Sequence, residues 1–353
     1  VGAIRIRGIT TLGTSCPLII VDGVPVDDIN DVNSRDIEDI SVLKDAASAS
    51  IYGSRAAAGV VLITTKRAKS GEISLQYNME FGLDKLTEKP KFVSPTRFME
   101  MENELRWNDA GNGNNEFPTY AKDLIENYYT LNAQDPDEYP ITDWYDLVLN
   151  DYAPRQNHSL SITGGGKFSR TKANLSYDKS DGLYDNYYFQ RVSLRVNNDF
   201  DINQYLSASL DLHLNRSQNH EPTASPFTGG DQINITPPIW AGLWKDGRYG
   251  AARSGGNILI QLNEGGTIDR WDSQTGGKLS INFTPTKDFK VTANFAPTFN
   301  NLRGKNFKKA AKYYDAKDPS LSLGYVSGYN TTKLTEDRDN SYNLTGQLLA
   351  NFN

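Results

Sequence analysis

From about Gln156 to Asn353 the chain reads as seven stretches of strict apolar and polar alternation. Leu206, Ala208, Leu210, Leu212 and Leu214 form one set; Ser207, Ser209, Asp211, His213 and Asn215 form the other. Val192, Leu194 and Val196 alternate with Arg191, Ser193, Arg195 and Asn197 in the same way. Phe289, Val291, Ala293, Phe295 and Phe299 repeat the period, as do Tyr342, Leu344, Leu348, Ala350 and Phe352. A period of two places each set on one side of a sheet. The joins are tight at 164–167, 201–204 and 285–288. Between them lie a brief tip at 181–185 or long excursions at about 217–270 and 302–340. Short turns at one rim and long loops at the other are the arrangement of an outer-membrane β-barrel.

Composition agrees with that constraint. Mean hydropathy is −0.56 and hydrophobic content 38%, and no stretch approaches the ~18 apolar residues of a membrane helix. A barrel strand shows lipid only at every second residue, so its average hydropathy stays low. The 19 Tyr, 14 Phe and 5 Trp fit interfacial belts, with Phe200, Tyr205, Phe283, Phe289, Tyr184, Tyr187 and Tyr188 near strand ends. A net charge of −6 argues against a nucleic-acid partner. The single Cys16 forbids an intrachain disulfide and supplies no zinc cluster. The chain opens mid-pattern at Val1–Arg7 and ends inside an alternating stretch, so it reads as a piece of a longer one.

Residues 1–70 differ in pattern from the rest of the chain. Ala3–Arg7 and Pro17–Val21 read as short strands, with a turn at Asp22-Gly23-Val24-Pro25. Ser34 reads as the N-cap of a helical turn carrying Ile37 and Ile40, and Val42-Leu43 as the start of another strand. The Ala-rich run Asp45–Tyr52 reads as a short helix ended by Gly53, and Gly59–Thr65 as an apolar strand. The first long strand is expected over Glu72–Leu83. A structured connection at 84–155 comes next, with a helix over Arg97–Trp107 that carries Phe98, Met101 and Leu105 on one face. A connection of that size is usually functional.

Three segments carry a family resemblance: Val21-Asp22-Gly23-Val24-Pro25-Val26, Asp36 through Ala47, and Ile51-Tyr52-Gly53-Ser54-Arg55-Ala56-Ala57-Ala58-Gly59-Val60. Together they resemble the plug domain of the SusC/RagA family of TonB-dependent outer-membrane transporters, with Asp22, Gly23, Lys44, Asp45, Tyr52, Gly53, Arg55 and Gly59 as its signature. Thr142-Asp143-Trp144 and Gln156 through Gly165 are similar to the family's early barrel. The resemblance implies a large antiparallel transmembrane β-barrel of ~22 strands, with an α/β plug inside the lumen. About eight of those strands would lie here, with residues 1–70 as the C-terminal part of the plug and 71–353 as the first part of the barrel. It further implies active import of an oligosaccharide or peptide across the outer membrane. The partners it implies are TonB, through a segment preceding this one, and a SusD-like surface lipoprotein acting as a lid.

Other motifs carry less. Gly53–Gly59 lacks the Lys-Ser/Thr of a phosphate loop, and Gly164-Gly165-Gly166-Lys167 reads as a turn. His158, His213 and His220 have no metal-ligand spacing, and His213 falls on the lumenal set. Asp135, Asp137 and Glu138 could offer calcium its oxygens or be a solvated acidic loop. Trp240, Trp244 and Tyr249 are candidates to stack against ligand, against a reading in which they pack the loop. Ile239, Trp240, Leu243, Trp244, Ile258, Leu259 and Ile260 exceed what a solvated loop needs, and a lid would cover them. No catalytic residue and no cofactor is expected. A soluble β-rich glycan-binding protein or glycosidase is the alternative class, but a glycosidase needs two carboxylates facing one bond, and no such pair stands out.

Overall fold

The structure, a computed structural model, describes residues 5–6, 16–26, 29, 32–45, 52–53, 56–71, 73–228, 232–252 and 255–352. Most of the expected strand over Ala3–Arg7 and of the helix over Asp45–Tyr52, together with Arg55 and Glu72, lies outside these residues.

The first unit is a four-stranded sheet of β1 (Leu18–Val21), β2 (Val24–Val26), β3 (Ile37–Leu43) and β4 (Val60–Thr65), in the order β2-β1-β4-β3. β1 and β2 form a hairpin whose two loop residues, Asp22 and Gly23, have φ of 49° and 85°. Two positive φ values match the twist of the flanking strands, and Asp-Gly is a sequence that accepts them. β1 runs parallel to β4, and β3 antiparallel to it. Alternate residues serve opposite faces: Ile19, Val21, Val61 and Ile63 pack with Val32, while Ile20 and Val60 pack with Ala56. Each such aliphatic side chain, taken fully from water, contributes roughly 1.5–3 kcal/mol.

Residues 34–43 depart from the expected helical turn. Only Ser34–Asp36 forms a 3₁₀ turn, capped by the side chain of Asn33 rather than Ser34, and Ile37–Leu43 is a single strand. A register shift between Ile37 and Asp39 breaks the period of two there, which left Ile37 and Ile40 looking helical.

The second unit is a meander of eight antiparallel strands in the order β14-β11-β10-β9-β8-β7-β6-β5. It begins with β5 (Ile73–Asp84), followed by helices α1 (Pro95–Asp109), α2 (Lys122–Gln134) and α3 (Trp144–Val148). Next come β6 (Ala153–Gly165), β7 (Ser169–Asp181), β8 (Tyr188–Asn203) and β9 (Leu206–Pro222). After α4 (Ile258–Glu264) come β10 (Gly266–Thr286) and β11 (Phe289–Lys308), then a small hairpin of β12 (Lys312–Tyr314) and β13 (Ser322–Tyr325), and finally β14 (Lys333–Phe352). The expected alternating stretches are all strands of this sheet. Their apolar sets point away from the first unit: Leu210, Leu212, Leu214, Leu279 and Phe295 are exposed on the convex face, and Asp211 is buried on the concave one.

The strands overrun the expected loops. Residues 217–222 and 266–270 belong to β9 and β10, and 302–308 and 333–340 to β11 and β14, leaving connections of 223–265 and 309–332. Crossing a bilayer takes ~9–11 tilted residues, whereas β10 has 21. Beyond the apolar band the ladder hydrogen bonds continue while the side chains turn polar on both faces, so alternation cannot report the strand ends. The helix in the first connection buries a set next to Phe98, Met101 and Leu105. Met99 and Asn103 are buried in α1, whereas Met101 and Leu105 are about half exposed. Asn103 Oδ1 accepts from the N–H of Thr119 and Tyr120, both at 2.9 Å, so a polar side chain holds the inward face.

Candidate functional site

The first unit sits on the concave face of the wall, and a seam of polar contacts joins them. Asp22 lies at its centre. Its carboxylate accepts from Thr65 N at 2.9 Å and Thr65 Oγ1 at 2.6 Å, closing the hairpin turn onto the end of β4. From the wall, Arg195 approaches that carboxylate at 3.8 Å, and the Lys278 ammonium donates to the Asp22 carbonyl. Gly23 fits this approach, since a Cβ there would lie 3.3 Å from Lys278 Nζ.

Arg67 comes just after β4 and clamps two wall strands. Its guanidinium donates to Asp199 Oδ1 of β8 and Asp211 Oδ2 of β9, each at 2.7 Å. Burial pulls its pKa down, but the Asp211 hydrogen bond and the surrounding carboxylates outweigh this and raise it. Asn197 donates to Thr65 Oγ1 at 2.8 Å and to the Lys66 carbonyl at 3.2 Å. Arg35 hydrogen-bonds Asn157 and Glu80, tying the turn after β2 to β5 and β6. Beside it opens a cavity of about 620 Å³ lined by Arg35, Glu80, Arg155, Asn157, Asp178 and Arg191. Arg191 and Asp178 pair there at 3.1 Å, so the lining is charged and rich in hydrogen-bonding groups. The chain passes from seam to wall by a close crossing: Gly71 N donates to Gly165 O at 3.0 Å, and a Cβ on Gly165 would stand 2.1 Å from Lys69 O.

The other signature residues sit as follows. Gly59 has φ of 99°, and its N–H donates to Ala56 O; Tyr52 packs against Ile20 and Val60 in the sheet's core. Gly53 has φ of 66°. Lys44 and Asp45 come after β3 on the exposed side.

At the opposite end from the tight turns, the connections 85–152, 223–265 and 309–332 pack into a canopy. Trp144 Nε1 donates to Pro237 O at 3.0 Å, and Thr142 Oγ1 to Trp240 O at 2.7 Å. Asn257 is fully buried; its amide donates to Gly242 O at 2.7 Å and Gly250 O at 2.8 Å while accepting from Leu259 N. Trp240 and Tyr249 pack against the cluster of Trp144, Ile233, Ile258 and Leu262. Trp244 donates to Tyr314 O at 3.4 Å across the canopy. Ile258, Leu259 and Ile260 are 2%, 7% and 0% exposed, so they are canopy core and need no lid to cover them. Nothing in the polar loops signalled this, because the partners come from connections a hundred residues apart.

Asp135 Oδ1 accepts from the N–H of Asp137 and Glu138, Asp137 Oδ1 from Lys245 N, and Glu138 pairs with Lys317 at 2.9 Å. Those carboxylates thus join all three connections. His213 is half-buried behind the seam, His158 stacks between Tyr77 and Tyr177 on the convex face, and His220 stacks on Tyr188. Among the described residues no helix is long and apolar enough to cross a membrane, which says nothing of strands.

The TonB-dependent receptor plug domain family matches residues 1–60. TonB-dependent receptor P39 of Formosa agariphila is 28% identical over 97% of this chain and 31% of its own length. TonB-dependent receptor SusC of Bacteroides thetaiotaomicron is 30% identical over 67% of this chain and 23% of its own. The chain therefore spans about a third or less of the curated relatives it matches. Among solved structures, the RagAB peptide transporter superposes with a TM-score of 0.70 at 18% identity, over 99% of this chain and 49% of that one. The RagAB peptide importer in its open-open state gives 0.69 at 22%, over 98% and 40%.

Proposed function

The chain is SusC/RagA-like TonB-dependent receptor sequence, and from that premise we propose that it forms the end of a plug and the adjoining wall of an outer-membrane nutrient importer. On this reading residues 1–70 are the plug's C-terminal part and 71–353 the first strands of a barrel of ~22. Among the described residues β5 and β14 are the wall's two edges, whose unpaired ladders further strands would close. Closure would wrap the wall around the four-stranded sheet and shut the lumen.

The observation that carries the reading is the seam. A folded unit is held on the concave face by Arg67, Asp22, Arg195, Asn197 and Lys278, contacts made of charge and hydrogen bonds rather than apolar packing. Such contacts can be exchanged for water at moderate cost, whereas an apolar interface between units would resist parting. A plug that must shift under a pull from TonB and return needs that kind of contact.

The cargo is an oligosaccharide or a peptide, bound above the plug and below the canopy. Trp240 and Tyr249 serve as canopy supports in this account, and Trp244, at the canopy's edge, is the aromatic offered to ligand. The canopy, built from the long connections expected at 84–155, 217–270 and 302–340, is the extracellular side on this reading, and a SusD-like lipoprotein would cap it. No chemistry on the cargo is required, and no catalytic role is assigned. Growth on a panel of oligosaccharides and peptides, with the gene deleted and restored, tests the reading. Loss of one nutrient class supports it, and unchanged growth and uptake across the panel would refute it.

A further inference from the structure

The convex face of the wall changes character sharply toward the canopy. Outward positions are apolar or uncharged up to Leu214 in β9, Thr275 in β10, Phe299 in β11 and Tyr342 in β14. Beyond them the same two-residue period brings out Arg216, Trp271, Arg303, Lys305 and Arg338. The ladder sets Trp271 opposite Arg303, and Arg303 opposite Arg338. In a chain of net charge −6, these four cations share the outward end of four adjacent strands with two carboxylates, Asp269 and Glu336.

The two carboxylates offset only part of the charge of the four cations. Asp269 is engaged by His220 at 2.7 Å and Gln218 at 3.2 Å. Glu336 stands between two guanidiniums, 3.6 Å from Arg303 and 3.9 Å from Arg338, too far to take up their hydrogen-bond donors. Arg303 lies over the Trp271 ring with its Cζ 5.0 Å from the centroid, and its buried Nε has no acceptor. Arg216 and Lys305 enter no ion pair among the described residues.

We propose that Arg216, Arg303, Lys305 and Arg338, grouped around Trp271, bind the phosphate groups of a phosphorylated glycolipid in the outer leaflet. The inference rests on the reading of the canopy as the extracellular side. A guanidinium held over an indole ring can still turn its terminal N–H groups outward, and their fork matches a phosphate's oxygens. Trp is suited to the boundary between hydrocarbon and headgroups. The apolar band directly below would take the acyl chains of the same molecule, which a free phosphate or a soluble protein could not use.

The test uses the full-length receptor, extracted from outer membrane in mild detergent and mixed with the lipid portion of lipopolysaccharide, either intact or enzymatically dephosphorylated. Native mass spectrometry counts lipid per receptor. Wild type and Lys122→Gln, which removes a charge elsewhere, should hold the phosphorylated lipid. Arg303→Gln/Arg338→Gln and, separately, Arg216→Gln/Lys305→Gln should bind it at least about tenfold more weakly, with heat-modifiable migration unchanged. The dephosphorylated lipid should bind wild type no better than the variants bind the intact one. Equal binding by wild type and both variants, or of both lipids, overturns the proposal. A Glu116→Cys probe in a Cys16→Ser background, labelled in intact cells by an impermeant maleimide, separates the two readings. Without labelling the canopy is not extracellular and both fall; with labelling but no phosphate dependence, only the glycolipid site falls.

Discussion

Replacing Arg67 with Met removes the strongest point of the seam while keeping most of the side chain's stem. Two charge-assisted hydrogen bonds of 2.7 Å are lost, to Asp199 and Asp211. Each such bond contributes ~1.5–3 kcal/mol, but Arg67 and Asp199 side chains are 29% and 22% exposed, so water recovers part of the first. The Asp211 carboxylate is only 6% exposed and is left facing a methionine. Stranding a buried charge costs ~3–5 kcal/mol; with Lys278 nearby to share the charge, a net ~3 kcal/mol is the reasonable expectation. That is roughly a hundredfold rise in the population with the plug lifted from the wall. Thr65 is fully buried beneath the seam, so a Thr65→Cys probe in a Cys16→Ser background reports lifting as its rate of reaction with a thiol reagent. Arg67→Met should raise that rate roughly a hundredfold, and adding Asp211→Leu should reverse part of the effect by removing the stranded charge. A rate within about threefold of the parent would show that the clamp does not hold the plug, and the energetic reasoning would fail.

Adjacent residues of β11 should respond oppositely to charge. Phe295→Lys puts an ammonium on the convex apolar band, at ~2–4 kcal/mol, and should lower the amount of assembled, heat-modifiable protein; Asn294→Lys, on the concave side, should assemble normally. A side chain at Gly165 collides with the Lys69 carbonyl, so Gly165→Val should leave little folded receptor in outer-membrane fractions, whereas Gly346→Val, with open space around it, should not. Asn257→Ala strips three hydrogen bonds from the canopy core; at roughly 1 kcal/mol each, it should make 223–265 cleavable by protease on intact cells without altering the barrel's heat-modifiable shift. Burial, and then the nearby Tyr120, push the Tyr128 phenol up to about 12. The protonated form donates to Pro140 O at 2.8 Å, so the stability it lends is complete below about 10 and is lost as pH rises through about 12. Tyrosinate absorbance that appears in full by pH 11 would contradict this.

The sequence made legible whatever depended on one strand and its surroundings. Leu206 to Leu214 alternates because one face meets apolar surroundings and the other does not, and the structure keeps that register. Asp22-Gly23 announced its turn because few other residues accept two positive φ values. Past residue 216 both faces of β9 are polar, and Ser217 to Glu221 is strand through backbone pairing with its neighbours β8 and β10, which leaves no side-chain signature. The bulge at Ile37 disguised β3 for a related reason. The seam was the least legible part. Asn197 and Asp211 stand more than a hundred residues along the chain from Arg67 and belong to no local pattern shared with it, so only the folded arrangement brings them together. The buried Ile258–Ile260 run shows the same limit from the apolar side: its composition pointed to cover of some kind, and the cover is the canopy itself.

The most direct test of the central claim, that this unit is a movable plug held on the inside of the wall, is a reversible tether across the seam. Thr65 Oγ1 and Asn197 Nδ2 are 2.8 Å apart, from β4 and β8 respectively. Thr65→Cys/Asn197→Cys in a Cys16→Ser background should cross-link under oxidation, and uptake of the nutrient identified by the growth panel should stop, then resume when the bond is reduced. A receptor that forms the tether and still transports at the rate of its reduced form would contradict the claim.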